Sequence, residues 1–164
     1  VKEDGTVIGT ATRKECHSGS MLLHPVVHLH VVTPDGNIFL QKRSMTKDIQ
    51  PGKWDTAVGG HVDCGETVAE AVVREAMEEL GIDASGAKLL KKYVFTSSVE
   101  RELVNTHYIV VDSDSFIPAP AADEVDDARF WTRNEIEEAF DKDILTPNLE
   151  MELKTILPLI SKEL

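Results

Sequence analysis

Residues Gly60 to Ile82 read GHVDCGETVAEAVVREAMEELGI, and this stretch decides how the rest of the chain is read. Thr67 and Glu70 form a Thr-x-x-Glu capping box, and Gly81 is placed to end the helix that the box opens. Between them Ala69, Val72, Val73, Ala76 and Leu80 recur at spacings of three and four, which predicts an apolar stripe turned to a core. Beside the stripe stand Glu75, Glu78 and Glu79, at i, i+3 and i+4, so the helix gathers three carboxylates on one face. Arg74 lies one residue before Glu75 and four before Glu78, within reach of the cluster.

Three neighbouring carboxylates repel one another, and a cation relieves that repulsion. Oxygen ligands without a cysteine–histidine cage favour Mg²⁺ or Mn²⁺, and a carboxylate-held Mg²⁺ commonly serves phosphate chemistry. The plain alternative is a solvated, charge-laced surface helix.

The complete spacing goes further. Gly60, five residues, Glu66, seven residues, then Arg74-Glu75-Ala76-Met77-Glu78-Glu79-Leu80-Gly81-Ile82 resembles the signature of the Nudix hydrolases at every defined position. The resemblance implies an α+β chain with the Nudix fold, an α/β/α sandwich with a mixed β-sheet, and a Nudix box at 60–82. It also implies cleavage of a diphosphate linkage in a nucleoside diphosphate joined to another group. On this resemblance Glu75, Glu78 and Glu79 bind the metal, while Gly60 and Glu66 shape the loop before the helix. The chemistry agrees: a phosphoanhydride repels an attacking oxygen, a divalent metal neutralises it and acidifies water, and a nearby carboxylate serves as general base. Positioning and charge stabilisation then remain as the protein's tasks.

A second resemblance covers most of residues 12 to 82. Lys14-Glu15-Cys16-His17, Leu22-Leu23-His24, Leu40-Gln41-Lys42-Arg43-Ser44 and Pro51-Gly52-Lys53-Trp54 are similar to the isopentenyl-diphosphate isomerases of the same superfamily. It implies a second divalent-metal site at His17, His24, His61, Glu100 and Glu102, a donor set that also suits a transition metal. It further implies that Arg43 and Lys47, and more weakly Arg13, meet the substrate diphosphate. Two departures separate the chain from the isomerases. Gly59 stands where their catalytic cysteine belongs, and Glu75 stands where a basic residue is expected. A hydrolase on an isomerase-like framework is the resulting expectation; the alternatives are an isomerase-like enzyme and a noncatalytic module that binds diphosphate ligands. Glu75 and Glu78 are the catalytic candidates at the metal, and Glu124, Glu100 or Glu102 the candidate general base.

Length and charge bound the rest. The 164 residues fit one domain, 1–164, and a formal net charge of −12 argues against nucleic acid or an anionic membrane as partner. Cys16 and Cys64 make no C-x-x-C motif, no apolar run has the length of a membrane span, and no signal peptide is visible, so a cytoplasmic enzyme acting on a small diphosphate is expected. The chain begins at Val1 rather than Met, which leaves room for a preceding segment. Dimers are common in the family, and a homodimer is a corresponding expectation.

Strands are predicted over Val7 to Arg13, Val26 to Val32, Ile38 to Lys42, Lys88 to Thr96, Leu103 to Val111 and Ala128 to Trp131. Thr33-Pro34-Asp35-Gly36-Asn37 joins the second and third as a hairpin, and Thr56 to Val58 leads into the signature loop. Asp112 to Asp127 reads as a long loop at the rim of a cleft, or a lid over it. Helices are predicted over Asn134 to Phe140 and Asn148 to Leu157, the latter with Pro147 in its first turn. His28 and His30 share one face of their strand, where packing or a surface position is the expected role. Trp54 and Trp131 offer rings for stacking on a ligand, against the commoner fate of core packing.

Overall fold

The alternation of side chains along β1 (Leu23–Val32) builds a layer on each face of one sheet. Val27, Leu29 and Val31 point to one side, where they bury against Ala71, Val72, Ala76 and Leu80 of α2 (Val68–Leu80). Val32 points to the other side and packs with Leu149, Leu153, Ile156 and Ile160 of α4 (Pro147–Glu163). The computed structural model describes residues 1–47, 49–119 and 125–164. In it, β1 runs parallel to β6 (Arg101–Val110) and antiparallel to β2 (Ile38–Arg43) and β4 (Val58–His61). β5 (Lys88–Thr96) lies outside β6, while β3 (Trp54–Asp55) and β7 (Val125–Trp131) pair with β2. The sheet is therefore mixed, with helices on both faces. This is the expected α+β sandwich.

The signature helix forms as its sequence predicts. Thr67 accepts from the Glu70 amide, the Glu70 carboxylate accepts from the Thr67 amide, and Gly81 closes the helix at φ 67°, ψ 25°. That left-handed conformation is what makes glycine the suitable residue there.

Three features differ from the sequence reading. No strand forms over 7–13; Val7 and Ile8 are 73% and 66% exposed, and a short helix α1 (Arg13–Cys16) starts behind a Thr12–Glu15 capping box. Both edges of β1 are already taken, by β6 on one side and β2 with β4 on the other, so the N-terminal segment has no place beside it. The final helix runs to Glu163, past Pro158. An interior proline costs about 3 kcal/mol, and the buried stripe through Leu153, Ile156, Leu157 and Ile160 offsets it. α3 (Arg133–Ala139) matches its expected position within a residue.

The expected loop from Asp112 to Asp127 is shorter, because Val125–Trp131 is strand. Its first part is no lid: Phe116 packs edge-on against Phe39 and Phe130, and the Ala119 amide caps the Leu80 carbonyl at 2.8 Å. Residues 120–124 lie outside the described residues. Trp54 and Trp131 meet each other edge-on at 4.9 Å in the core, which leaves core packing as their role. No helix among the described residues is long and apolar enough to cross a membrane.

Candidate active site

The signature loop and helix are tied by one guanidinium. Arg74 grips Glu66 with a two-pronged contact, Nε to Oε1 at 2.8 Å and Nη2 to Oε2 at 2.9 Å. It also donates to Glu75 Oε1 at 2.8 Å and to the His61 carbonyl at 2.9 Å, with Glu78 Oε2 further off at 3.4 Å. Hydrogen bonds from Arg74 hold the Glu66 carboxyl below its ordinary range, and the same contacts raise Arg74 above its own. The guanidinium thus sets the height of the loop over the helix.

Gly60 of β4 then lies directly on Glu75. A Cβ at position 60 would collide with the Glu75 carboxylate. The Gly59 amide donates to Glu79 Oε2 at 3.4 Å. Two successive glycines therefore bring the sheet edge against two of the three glutamates. The Glu75 side chain is 13% exposed and that of Glu78 60%, so the carboxylates run from the cleft floor out to solvent.

Glu75, Glu78 and Glu79 line a cleft of about 1040 Å³ that also takes in Arg43, Lys47 and His61. Glu100 and Glu102 of the β5–β6 region border the same space. Arg43 is fixed before any ligand arrives: Nη1 donates to Asp55 Oδ2 at 3.1 Å and Nε to the Ile49 carbonyl at 3.0 Å. Asp55 is held in turn by the Thr146 hydroxyl at 2.9 Å. Arg13 sits exposed on α1 apart from this lining, near enough for its charge to act on His61. Glu124 lies outside the described residues.

His17, His24 and His61 converge, with one ligand nitrogen from each inside a 4.8 Å span. His17 comes from the end of α1, His24 from β1 and His61 from the end of β4. His17 Nε2 faces His61 Nε2 at 2.8 Å, His17 Nδ1 meets the Glu100 carboxylate, and His24 Nε2 is 4.0 Å from Glu102 Oε1. The His24 Nδ1–H donates to the Leu22 carbonyl at 3.0 Å, which turns its Nε2 lone pair inward. That Nε2 is buried without a hydrogen-bond partner, an orphan that a metal ion would satisfy. Burial, and then the nearby Arg13 guanidinium and the neighbouring His17 and His24 rings, push His61 down to about 4, so its imidazole is neutral and able to ligate at neutral pH. Burial and the neighbouring Glu100 push the Glu102 carboxyl up. The donor set suits a divalent transition metal.

One network was not expected from the sequence. Glu152 of α4 is buried under β1, where Oε2 accepts from His28 Nδ1 at 2.7 Å and Oε1 from the Thr106 hydroxyl. His30 Nε2 lies 3.5 Å from the same carboxylate. The signal was present: Glu152 interrupts the apolar series Leu149, Leu153, Ile156, Ile160 at a stripe position. His28 also borders the cleft, which packing alone does not require.

A NUDIX domain model matches residues 22–149. An isopentenyl-diphosphate Delta-isomerase of Leifsonia xyli is 39% identical over 87 residues, 53% of this chain and 47% of that one. The chain thus spans about half the length of that relative. An uncharacterized Nudix hydrolase of Listeria monocytogenes is 34% identical over 117 residues, 70% of this chain and 67% of the other. Among solved structures, DR0079 from Deinococcus radiodurans superposes with a TM-score of 0.76 at 21% identity, covering 94% of each chain, a likeness of fold. Because the matched model extends over most of the 164 residues, the chain belongs to the Nudix domain family.

Proposed function

We propose that the chain is a metal-dependent hydrolase that cleaves a diphosphate linkage, in a nucleoside diphosphate joined to another moiety. The observation that carries this reading is the meeting of Glu75, Glu78 and Glu79 with the cations Arg43 and Lys47 in one cleft. Acidic groups that suit a hard cation and basic groups that suit phosphate oxygens are the two halves of such a site.

Glu75, Glu78 and Glu79 would hold Mg²⁺ or Mn²⁺, and His17, His24, His61, Glu100 and Glu102 a second divalent ion. Such ions supply charge neutralisation at the phosphoryl oxygens and acidify water. The chain's own residues do the rest. Arg43 offers a fork already immobilised by Asp55 and the Ile49 carbonyl, so little rotamer freedom is lost on binding. Lys47 adds a point charge on the same wall. Glu102, whose carboxyl is pushed up by burial, is the candidate general base where the second ion is held by the other four ligands, with Glu124 as its alternative. Arg74 positions Glu75 and keeps the loop on the helix. Arg13, which lies apart from the cleft lining, is left as the weakest candidate for a phosphate contact. A small-molecule diphosphate is the proposed partner, and a homodimer and a cytoplasmic location remain parts of this reading.

A second reading is an isopentenyl-diphosphate isomerase-like enzyme, favoured by the convergent histidines and the likeness to a relative so named. Gly59 weighs against it, since glycine has no side chain to move a proton. A noncatalytic diphosphate-binding module is the third. The deciding experiment is release of the phosphorylated cleavage products, a nucleoside monophosphate with the phosphorylated partner moiety, or phosphate from an isoprenoid diphosphate, across a panel of such substrates with Mg²⁺ or Mn²⁺, for wild type and Glu78→Gln. Metal-dependent release by wild type alone supports the hydrolase. A rearranged isoprenoid product supports the isomerase, and ligand-induced stabilisation without turnover supports the binding module.

A further inference from the structure

His28 stands on the side of the cleft opposite the signature helix, and its surroundings are built rather than incidental. β1 and β4 pair so that His28 faces Gly59 across the ladder. A Cβ at position 59 would lie 3.6 Å from His28 Cδ2 and 3.9 Å from Nε2, so this edge of the ring lies beside the bare α-carbon of Gly59. The other edge is held by Glu152, whose side chain has no exposure and whose second oxygen is taken by Thr106. The ring therefore cannot turn away without abandoning a buried carboxylate. Gly59 in turn donates to Glu79 through its amide, which puts the His28 edge one residue from the glutamate cluster. Among the described residues, Nε2 has no hydrogen-bond partner, and the side chain keeps 12% exposure where it borders the cleft.

We propose that His28 is a substrate-binding residue, donating its Nε2–H to an anionic oxygen of the diphosphate while Glu152 positions it from behind. The assignment rests on the diphosphate reading of the cleft. It requires the doubly protonated ring, because Nδ1–H is already committed to Glu152 and only an imidazolium has a second donor. The charges around the ring supply that state. Glu152 faces it from α4, Asp55 from β3 and Glu102 from β6, Glu79 lies beyond Gly59, and His30 is the neighbouring titratable group on its own strand. Although burial opposes the charge, Glu152, Asp55 and Glu102 carry His28 up to about 9, with Glu152 the strongest of them. A neutral ring with an Nε2 lone pair is the arrangement for a general base, and the carboxylates disfavour it.

The test uses methylenediphosphonate, a diphosphate analogue that does not hydrolyse, titrated calorimetrically with excess Mg²⁺ into wild type, His28→Gln and the double variant His28→Gln/Glu152→Gln. The double variant removes both members of the buried ion pair, so no charge is stranded if the single variant loses its fold. Expected is at least a tenfold loss of affinity at pH 7.5 in whichever variants are folded. The ratio of wild-type to variant affinity should narrow as pH rises to 10, a change that a merely structural role would not produce. Affinities within twofold of wild type, or a ratio indifferent to pH, overturn the assignment and leave the diphosphate reading standing. Absence of binding by wild type overturns both.

Discussion

The α-carbon of Gly60 rests against the carboxylate of Glu75 so closely that a methyl group there would take the carboxylate's place. No positive φ is involved at Gly60; the glycine is required by approach, not by backbone conformation. Gly60→Ala should push Glu75 out of the cluster while leaving the fold intact, because a flexible side-chain end yields before a strand does. We expect Mn²⁺ affinity and turnover to fall at least tenfold with the melting temperature changed by only a few degrees. Full Mn²⁺ affinity in the variant would show that Glu75 is not held in a ligating position by Gly60.

Arg74 gives a different result, in stability rather than chemistry. Its fork joins Glu66, Glu75 and the His61 carbonyl, and lysine cannot satisfy all three. Arg74→Lys should destabilise by about 1–3 kcal/mol, the range for breaking a charge-assisted, partly buried network. Chemical denaturation measures it, and a change below about 0.5 kcal/mol would mean the contacts are surface pairs of little worth.

Much of this arrangement was legible in the sequence, and the reasons differ by residue. The Thr67–Glu70 capping box, the terminating glycine at Gly81 and the stripe of α2 are local, so spacing alone exposed them. The hairpin itself followed from its turn residues, and the structure sets Val32 opposite Ile38. The missing strand at 7–13 depends on which strands take the two edges of β1, a global fact that no local window contains. Glu152 was readable as a break in a stripe, yet its partners His28 and Thr106 come from two strands 124 and 46 residues away. The pairing of Arg43 with Asp55 was hidden in the same way, since both residues look like ordinary loop charges until β2 and β3 are aligned.

The buried pair also sets a pH dependence. His28 is raised from an ordinary 6.5 to about 9, so its contribution to stability is complete below pH 6.5 and is lost as pH climbs through about 9. Glu152 is lowered well below 4.5, so its contribution is complete above pH 4.5 and is lost in acid. Unfolding free energy should therefore decline between pH 6.5 and 10 in wild type. His28→Gln/Glu152→Gln should flatten that alkaline decline. A decline of equal slope in both proteins would assign it to other groups.

Glu78 separates metal chemistry from folding. Its side chain is mostly exposed and touches Arg74 only at 3.4 Å, so Glu78→Gln should change stability by less than about 1 kcal/mol. Removing one charge from the ligand cluster should nevertheless cut turnover by two orders of magnitude or more. A variant that is both stable and fully active would remove Glu78 from the metal site.

The histidine cluster predicts a stabilising ion that does not depend on the glutamates of α2. His24 Nε2 is orphaned in a buried position, and its Nδ1–H is committed to the Leu22 carbonyl, so the ring is preset to ligate. An ion that binds only the folded chain adds about 2.7 kcal/mol at a hundredfold excess over its dissociation constant. For a domain of this size that corresponds to a rise in melting temperature of about 5–10 °C. Zn²⁺ or Mn²⁺ should produce it in wild type and in Glu75→Gln/Glu78→Gln, while EDTA reverses it. His24→Ala should abolish it, because it removes the buried, preset Nε2 that completes the three converging imidazoles. Were the shift instead to vanish with the glutamate variant and survive in His24→Ala, the stabilising ion would belong to α2 and the histidines would be only a hydrogen-bonded cluster.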